Sequence, residues 1–351
     1  VLLKWLSVTI VKALLAGFTV LNVLFVVNRY LPTDQVTIDL EARGITQASY
    51  KNYDEIYLNE KNKLGLSDPP FYFSVHKNDK TFIPLPSLQW EGFNNQYHRF
   101  LKNLLKFDFG KSRNDGKSAM NKVFMAIKWT ILYVVLSILF VVVLSRWTGR
   151  LLSRLEKKGR NTSIYNSFLI LLYSVPEFWI ATLMVIFLSN NRYGLHLFSI
   201  ASYGKADTLL SMLDRIWPMV LTSVICNLAY FTLIYKSNVN DENQKPYFTG
   251  ALAKGLSIRQ VIKNHTAPNA FFIMIATLYN SLPAWFAGSV VLENIFNIPG
   301  IGRLLFNSFN SGDWNVVNSV IFTVAIITTL GFSTGDLIHS RYNPKENIQL
   351  N

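Results

Sequence analysis

Between Ile131 and Leu144 only Tyr133 and Ser137 interrupt an otherwise apolar stretch, and stretches of comparable character recur along the chain. A helix at the surface of a soluble domain keeps one polar face, so its apolar residues return every three or four positions. These runs offer water no such face. At 1.5 Å per residue, about 20 of them cross the ~30 Å hydrocarbon core of a bilayer. In lipid each backbone N–H and C=O must find its partner within the protein, which selects helices for runs of this length. The reading is an all-α membrane protein of six transmembrane helices, over Trp5–Val27, Val123–Leu144, Ile164–Leu188, Ile216–Tyr235, Ala270–Leu292 and Val316–Ile338. Lys4 and Lys12, with no small-residue cleavage pattern before Arg29-Tyr30-Leu31-Pro32, make the first run a retained anchor rather than a signal peptide.

Basic residues outnumber acidic ones, 34 to 21, a formal net charge of +13. An excess of this size suits nucleic acid, acidic lipid or the cytoplasmic loops of a membrane protein, and its distribution decides among them. The loop from Arg146 to Ser163 holds Arg146, Arg150, Arg154, Lys157, Lys158 and Arg160 against Glu156. The loop from Lys236 to Pro268 holds Lys236, Lys245, Lys254, Arg259 and Lys263 against Asp241 and Glu242. The short loops of the other parity carry only Arg192, Lys205 and Arg303 as basic residues. The first pair of loops is therefore expected in the cytoplasm, with both termini, and nucleic acid is not expected as a partner. The chain divides into an N-terminal transmembrane helix (1–30), a long extracellular segment (31–122) and a five-helix core (123–345) with a cytoplasmic loop at 236–268.

The segment 31–122 is too long for a simple connector. Its aromatics Phe71, Tyr72, Phe73, Phe82, Trp90, Phe93 and Tyr97, with turns at Asp68-Pro69-Pro70 and Ile83-Pro84-Leu85-Pro86, predict a small folded element. Two roles stand for it, docking a delivery protein or capping the membrane subunits.

Signals of enzymatic chemistry fail one by one. Gly110-Lys111-Ser112 and Gly116-Lys117-Ser118 end like a phosphate-binding loop, but the glycine required five positions earlier is Leu105 or Lys111. The histidines are scattered without zinc-ligand spacing, and no Gly-x-Ser-x-Gly turn is present. The chain is expected not to be an enzyme and to hold no cofactor. Cys226 is the single cysteine, so no intrachain disulfide forms.

The loop at 236–268 is the informative one. Pro246 suits the first turn of a helix, where its missing N–H costs nothing. Tyr247 to Lys254 then reads as a short helix with a face of small residues, stopped by Gly255. Ser257 and Gln260 form a capping box for a second helix. From the residues alone two readings stand: a helical corner projecting into a partner's groove, or an amphipathic helix at the membrane interface.

Tyr247-x-x-x-Ala251-x-Ala253-Lys254-Gly255-Leu256-Ser257 resembles the coupling-loop motif of the membrane subunits of ABC importers, above all the oligopeptide/dipeptide/nickel permease family. Further blocks in the same order are similar to that family. They are Leu104–Ser112, Val175-Pro176-Glu177-Phe178-Trp179, Val290–Leu305 with its Pro299-Gly300-Ile301-Gly302-Arg303, and Asp336-Leu337 with Asn343-Pro344. The resemblance implies a type I ABC importer transmembrane domain in the cell membrane. It implies a second homologous permease subunit, two ATPase subunits that bind ATP and magnesium, and an extracellular binding protein that delivers peptide. Ala251, Ala253, Lys254, Gly255, Leu256 and Ser257 would form the ATPase-coupling corner. Two departures stand out. Thr249-Gly250-Ala251 replaces the general Glu-Ala-Ala opening, and Glu177 replaces a common serine. Gly300 to Arg303 is either a contact for the binding protein or a tight turn, and the resemblance favours a structural re-entrant element.

Lys12, Glu177 and Asp336 fall within or at the ends of the apolar runs, where charge is costly unless paired or wet. Glu177, directly after Pro176, is the translocation-pathway candidate. It either faces the path and attracts a cationic group, or pairs with a basic side chain on a neighbouring helix or subunit. Alternative functions are a nickel-chelate or other small-solute permease, a secondary carrier, and a membrane sensor or scaffold whose 31–122 segment binds a ligand.

Overall fold

The computed structural model describes residues 2–30, 35–50, 52–63, 66–77, 86–189, 194–195, 197–198 and 208–342. Leu31-Pro32, Phe82, the Ile83-Pro84-Leu85 turn, Arg192, Lys205 and Asn343-Pro344 lie outside them. Among the described residues, four helices are long and apolar enough to cross a membrane: Trp5–Val27 within α1 (Leu2–Tyr30), α5 (Ala119–Lys157), α8 (Leu209–Glu242) and Trp314–Ile338 within α14 (Trp314–Tyr342). Counting each of two bent helix pairs as one span brings the total to six.

Two of the six expected spans are thus broken helices. The run Ile164–Leu188 divides into α6 (Ser163–Ser174) and α7 (Glu177–Met184, continued by a π-helical turn to Ser189), bent by 86°. Pro176 has no N–H to continue the ladder and drives Val175 to extended backbone, φ −80° and ψ 125°. The run Ala270–Leu292 divides at Ser281 into α11 (Ala267–Asn280) and α12 (Leu282–Ile295), and the helical stretch Ile258–Asn280 is bent by 55° from α12. Here Pro283, in the first turn of α12, withholds the donor.

The chain forms two compact units, each with its own packing. The larger comprises 1–14, 124–306 and 324–351. At its centre α8 packs against α6, α7 and α11, and α7 packs against α12. Within lipid the tails are as apolar as leucine, so close packing and interhelical hydrogen bonds carry the association. Both occur between α5 and α8. A Cβ on Gly149 would come within 3.0 Å of the Thr232 carbonyl, so glycine permits that approach. Thr148 and Thr232 share a hydroxyl contact of 2.8 Å, and Ser153 Oγ donates to Asn240 at 3.1 Å.

The smaller unit comprises 15–123 and 307–323, and the expected folded element belongs to it. It contains α2 (Gln35–Ala42), α3 (Tyr53–Lys63), an antiparallel hairpin of β1 (Phe73–Lys77) and β2 (Pro86–Trp90), and α4 (Gln96–Leu105). Phe25 of α1 meets the rings of Phe71, Tyr97 and Phe100 at 5.7, 5.3 and 5.0 Å. Phe73 pairs with Trp90 in register, and with Leu88 they form an exposed apolar face of the hairpin. The Leu104–Ser112 block clasps the start of α14. Phe109 packs on Phe322 at 5.1 Å, and Ser112 Oγ donates to the buried Asp313 carboxylate at 2.5 Å.

Candidate functional site

The corner between α8 and α11 forms as its residues dictate. Pro246 opens α9 (Pro246–Ala253), and Lys254 caps its end. Gly255 follows at φ +85°, a conformation in which a side chain would be strained. Its N–H donates to the Leu252 carbonyl at 2.9 Å, and the Leu256 N–H reaches back to Ala251 at 3.3 Å. Together these two bonds are a Schellman closure, which satisfies carbonyls that the helix end would leave open.

Ser257 then starts α10 (Ile258–Val261). Its N–H donates to Gln260 Oε1 at 2.9 Å, and its Oγ accepts from the Gln260 N–H at 3.4 Å. A π-helical turn, Ile262–Thr266, joins α10 to α11. Ala253, Lys254, Gly255, Leu256 and Ser257 are exposed, and Ala251 is half-buried. The apolar tips are Leu256, 37% exposed, and Ile258, 55% exposed. The six expected coupling residues therefore form one continuous, locally determined corner.

Sequence reasoning missed the residue that fastens this corner to the helices beside it. Glu242 had counted only as one of two acids in a basic loop. Its carboxylate is 2% exposed and pairs with Lys245. It also accepts from Tyr247 Oη at 2.6 Å and from Asn269 Nδ2 at 3.2 Å. Burial, with the Glu242 carboxylate that accepts its proton, pushes the Tyr247 phenol up to about 12, so it remains a donor at neutral pH. Nearby, the Lys157 ammonium lies 5.3 Å from the Phe248 ring, which brings the two basic loops together.

Glu177 is the first residue of α7, beyond the break at Pro176, and is half-buried. Ser223 Oγ of α8 donates to its carboxylate and stands 2.8 Å from the Tyr133 hydroxyl of α5. A Cβ on Gly288 would approach Glu177 Oε2 to 3.1 Å, so glycine at 288 leaves room beside the charge. Among the described residues no basic side chain forms an ion pair with Glu177. The structure thus brings the expected pathway residue to a junction of α5, α7, α8 and α12, apart from the corner.

Glu293 is a second missed carboxylate, fully buried. It accepts from Thr130 Oγ1 at 2.6 Å and from the Arg303 N–H at 2.9 Å, while Thr130 Oγ1 accepts the Ile301 N–H at 2.9 Å. These N–H groups open α13 (Ile301–Asn310), and an anion there offsets their unpaired dipoles. Gly300 lies against the Glu293 carboxylate, and Gly302 against the Val290 backbone. The Gly300–Arg303 block is therefore a close-packed helix start. The available signal was Glu293 itself, an acid at the end of an apolar run and ahead of a Pro-Gly-x-Gly turn.

A family model described as binding-protein-dependent transport system inner membrane component matches residues 142–347, more than half of the chain. The chain is 25% identical over 337 residues to the oligopeptide transport system permease protein AppB of Bacillus subtilis (strain 168), covering 95% of each. It is 26% identical over 261 residues to the peptidoglycan transport system permease protein YejB of Agrobacterium fabrum (strain C58 / ATCC 33970), covering 70% of this chain and 71% of the other. It is 28% identical over 190 residues to the dipeptide transport system permease protein DppB of Lactococcus lactis subsp. cremoris (strain MG1363), covering 54% and 59%.

Proposed function

The chain belongs to the binding-protein-dependent transport system inner membrane component family, and from that premise we propose that it is one half of the translocation pathway of an ATP-driven importer for oligopeptides or dipeptides. Ala251, Ala253, Lys254, Gly255, Leu256 and Ser257 receive an ATPase subunit. The observation that carries this reading is the exposed apolar corner, rigid by its own local bonds and held into α8 and α11 by Glu242. A second permease subunit completes the pathway, two ATPases bind ATP and magnesium, and an extracellular binding protein delivers the peptide. Counting each bent pair as one span gives six, an even number that keeps both termini and both basic loops on one side, and the positive charge of those loops favours the cytoplasm for it. The Lys157–Phe248 contact supports that sidedness, because it joins the two basic loops. ATPases and a second permease are expected to co-purify with the tagged chain, and uptake is expected to stop without nucleotide. A chain that purifies alone and transports without ATP would refute this assignment.

Glu177 lines the path and favours peptides carrying an extra cationic group. Its support is a half-buried carboxylate with a hydroxyl donor and no ion-pair partner among the described residues. Glu177→Gln is expected to reduce uptake of a lysine-containing peptide about tenfold relative to its neutral analogue, the discrimination typical of one well-placed charge. Equal losses for both peptides would remove Glu177 from the path.

A further inference from the structure

The short helix α9 has little of its own to hold it in place. It runs for 8 residues, below the length at which a helix is stable alone, and none of its residues is buried. What it does have is Glu242, whose backbone ends α8. The Glu242 side chain takes one donor from Lys245 just before α9, one from Tyr247 in the first turn of α9, and one from Asn269 in the first turn of α11. Burial of a carboxylate is tolerated where such donors replace water, and here the three come from three different stretches of chain. Helices α8 and α11 pack against each other directly, so the carboxylate closes a triangle of α8, α9 and α11. Local bonds set the shape of the corner, and the Glu242 carboxylate is the acceptor on which Tyr247 and Asn269 converge.

We propose that Glu242 is the positioning residue that makes the coupling helix move as one body with α8 and α11, so that ATPase motion at the corner turns both spans together. This rests on the reading of the corner as the ATPase dock. Without the carboxylate, α9 still docks and follows the ATPase, but it swings on the Gln244–Lys245 linker and the π-helical turn instead of driving the spans. The loss then falls on the yield of transport per ATP, not on assembly.

The test uses the complete transporter, with both permeases, both ATPases and the binding protein, reconstituted in liposomes and given a peptide. Glu242→Leu keeps a side chain of similar volume but removes the acceptor that Tyr247 Oη and Asn269 Nδ2 share. ATPases are expected to co-purify at the normal stoichiometry while peptide transported per ATP hydrolysed falls about tenfold, within the usual range of a coupling between sites. Glu242→Gln, whose amide oxygen can still accept from Tyr247 and Asn269 while its NH2 faces the exposed Lys245, is expected to keep most of that ratio. An unchanged ratio in Glu242→Leu, or a Glu242→Gln ratio no better than that of Glu242→Leu, overturns the proposal. So does a parallel fall in hydrolysis and transport, which is the mark of a merely structural role. Should Glu242→Leu fail to accumulate, Tyr247→Phe removes a single donor and is expected to lower the ratio about threefold; no change there also overturns it. Absence of ATPases from the wild-type preparation would instead refute the docking assignment, so the two failures are separable.

Discussion

Leu256→Asp combined with Ile258→Asp is expected to strip the ATPase subunits from the purified complex and to lower ATP-driven uptake by about two orders of magnitude. Apolar anchors at the centre of an interface typically contribute about 1–2 kcal/mol each, so losing about 3 kcal/mol from the two corresponds to roughly a hundredfold. Both side chains are free to act as anchors, since 37% of Leu256 and 55% of Ile258 face outward. The substitutions spare the fold for reasons visible in the corner itself. Position 258 is the first residue of α10, where an acid favours the helix by about 0.3–1 kcal/mol. Position 256 lies just beyond the end of α9, where an acid costs a similar amount. Helix content and the thermal unfolding of the isolated chain should therefore stay near wild type. Retention of the ATPases by the double variant would show that the corner is not their dock.

The second large effect is expected far from the corner, at Gly302. A methyl group there would lie 2.6 Å from Val290 Cα and 2.7 Å from Val290 N. Backbone atoms inside a helix cannot rotate aside as a side-chain tip can, so α12 and the start of α13 must separate. That movement also loosens the Arg303 N–H from Glu293, now 2.9 Å away, and strands a buried carboxylate. Overpacking and the weakened hydrogen bond together should cost about 3 kcal/mol or more. Gly302→Ala should therefore appear as a marked fall in folded, detergent-stable protein. Gly250→Ala supplies the contrast. It sits in α9 with nothing within 4 Å of the added carbon, and alanine favours a helix over glycine by about 0.5–1 kcal/mol. A Gly302→Ala protein as stable as Gly250→Ala would refute the packing account of the Gly300–Arg303 block.

The two cases differ in how far apart the deciding atoms lie along the chain. At the corner each bond closes within five residues: Leu256 to Ala251, Gly255 to Leu252, Ser257 to Gln260. Such bonds follow from residue type and order, so Pro246, Gly255 and Ser257 announce the corner before any tertiary contact is known. Glu293 depends on Thr130 of another helix, and Glu242 on Asn269 beyond the corner. No local pattern reveals those partners, and in the sequence both acids look like loop charges. Pro176 is intermediate. Its missing N–H announces an interruption, but the 86° bend between α6 and α7 is set by how each packs on α8.

The sequence by itself determined that the chain is helical and apolar enough for a bilayer, which loops carry its positive charge, and the backbone path of the coupling corner. These properties depend on hydropathy, charge and bonds between near neighbours, all of which are written along the chain. Tertiary structure alone set the angles at which two of the expected spans bend. It alone placed Glu177 beside Ser223 with space left by Gly288, and made Glu242 and Glu293 the buried centres of their junctions. Those outcomes rest on donors and close approaches supplied by other helices, and a linear pattern contains no record of which helix lies next to which.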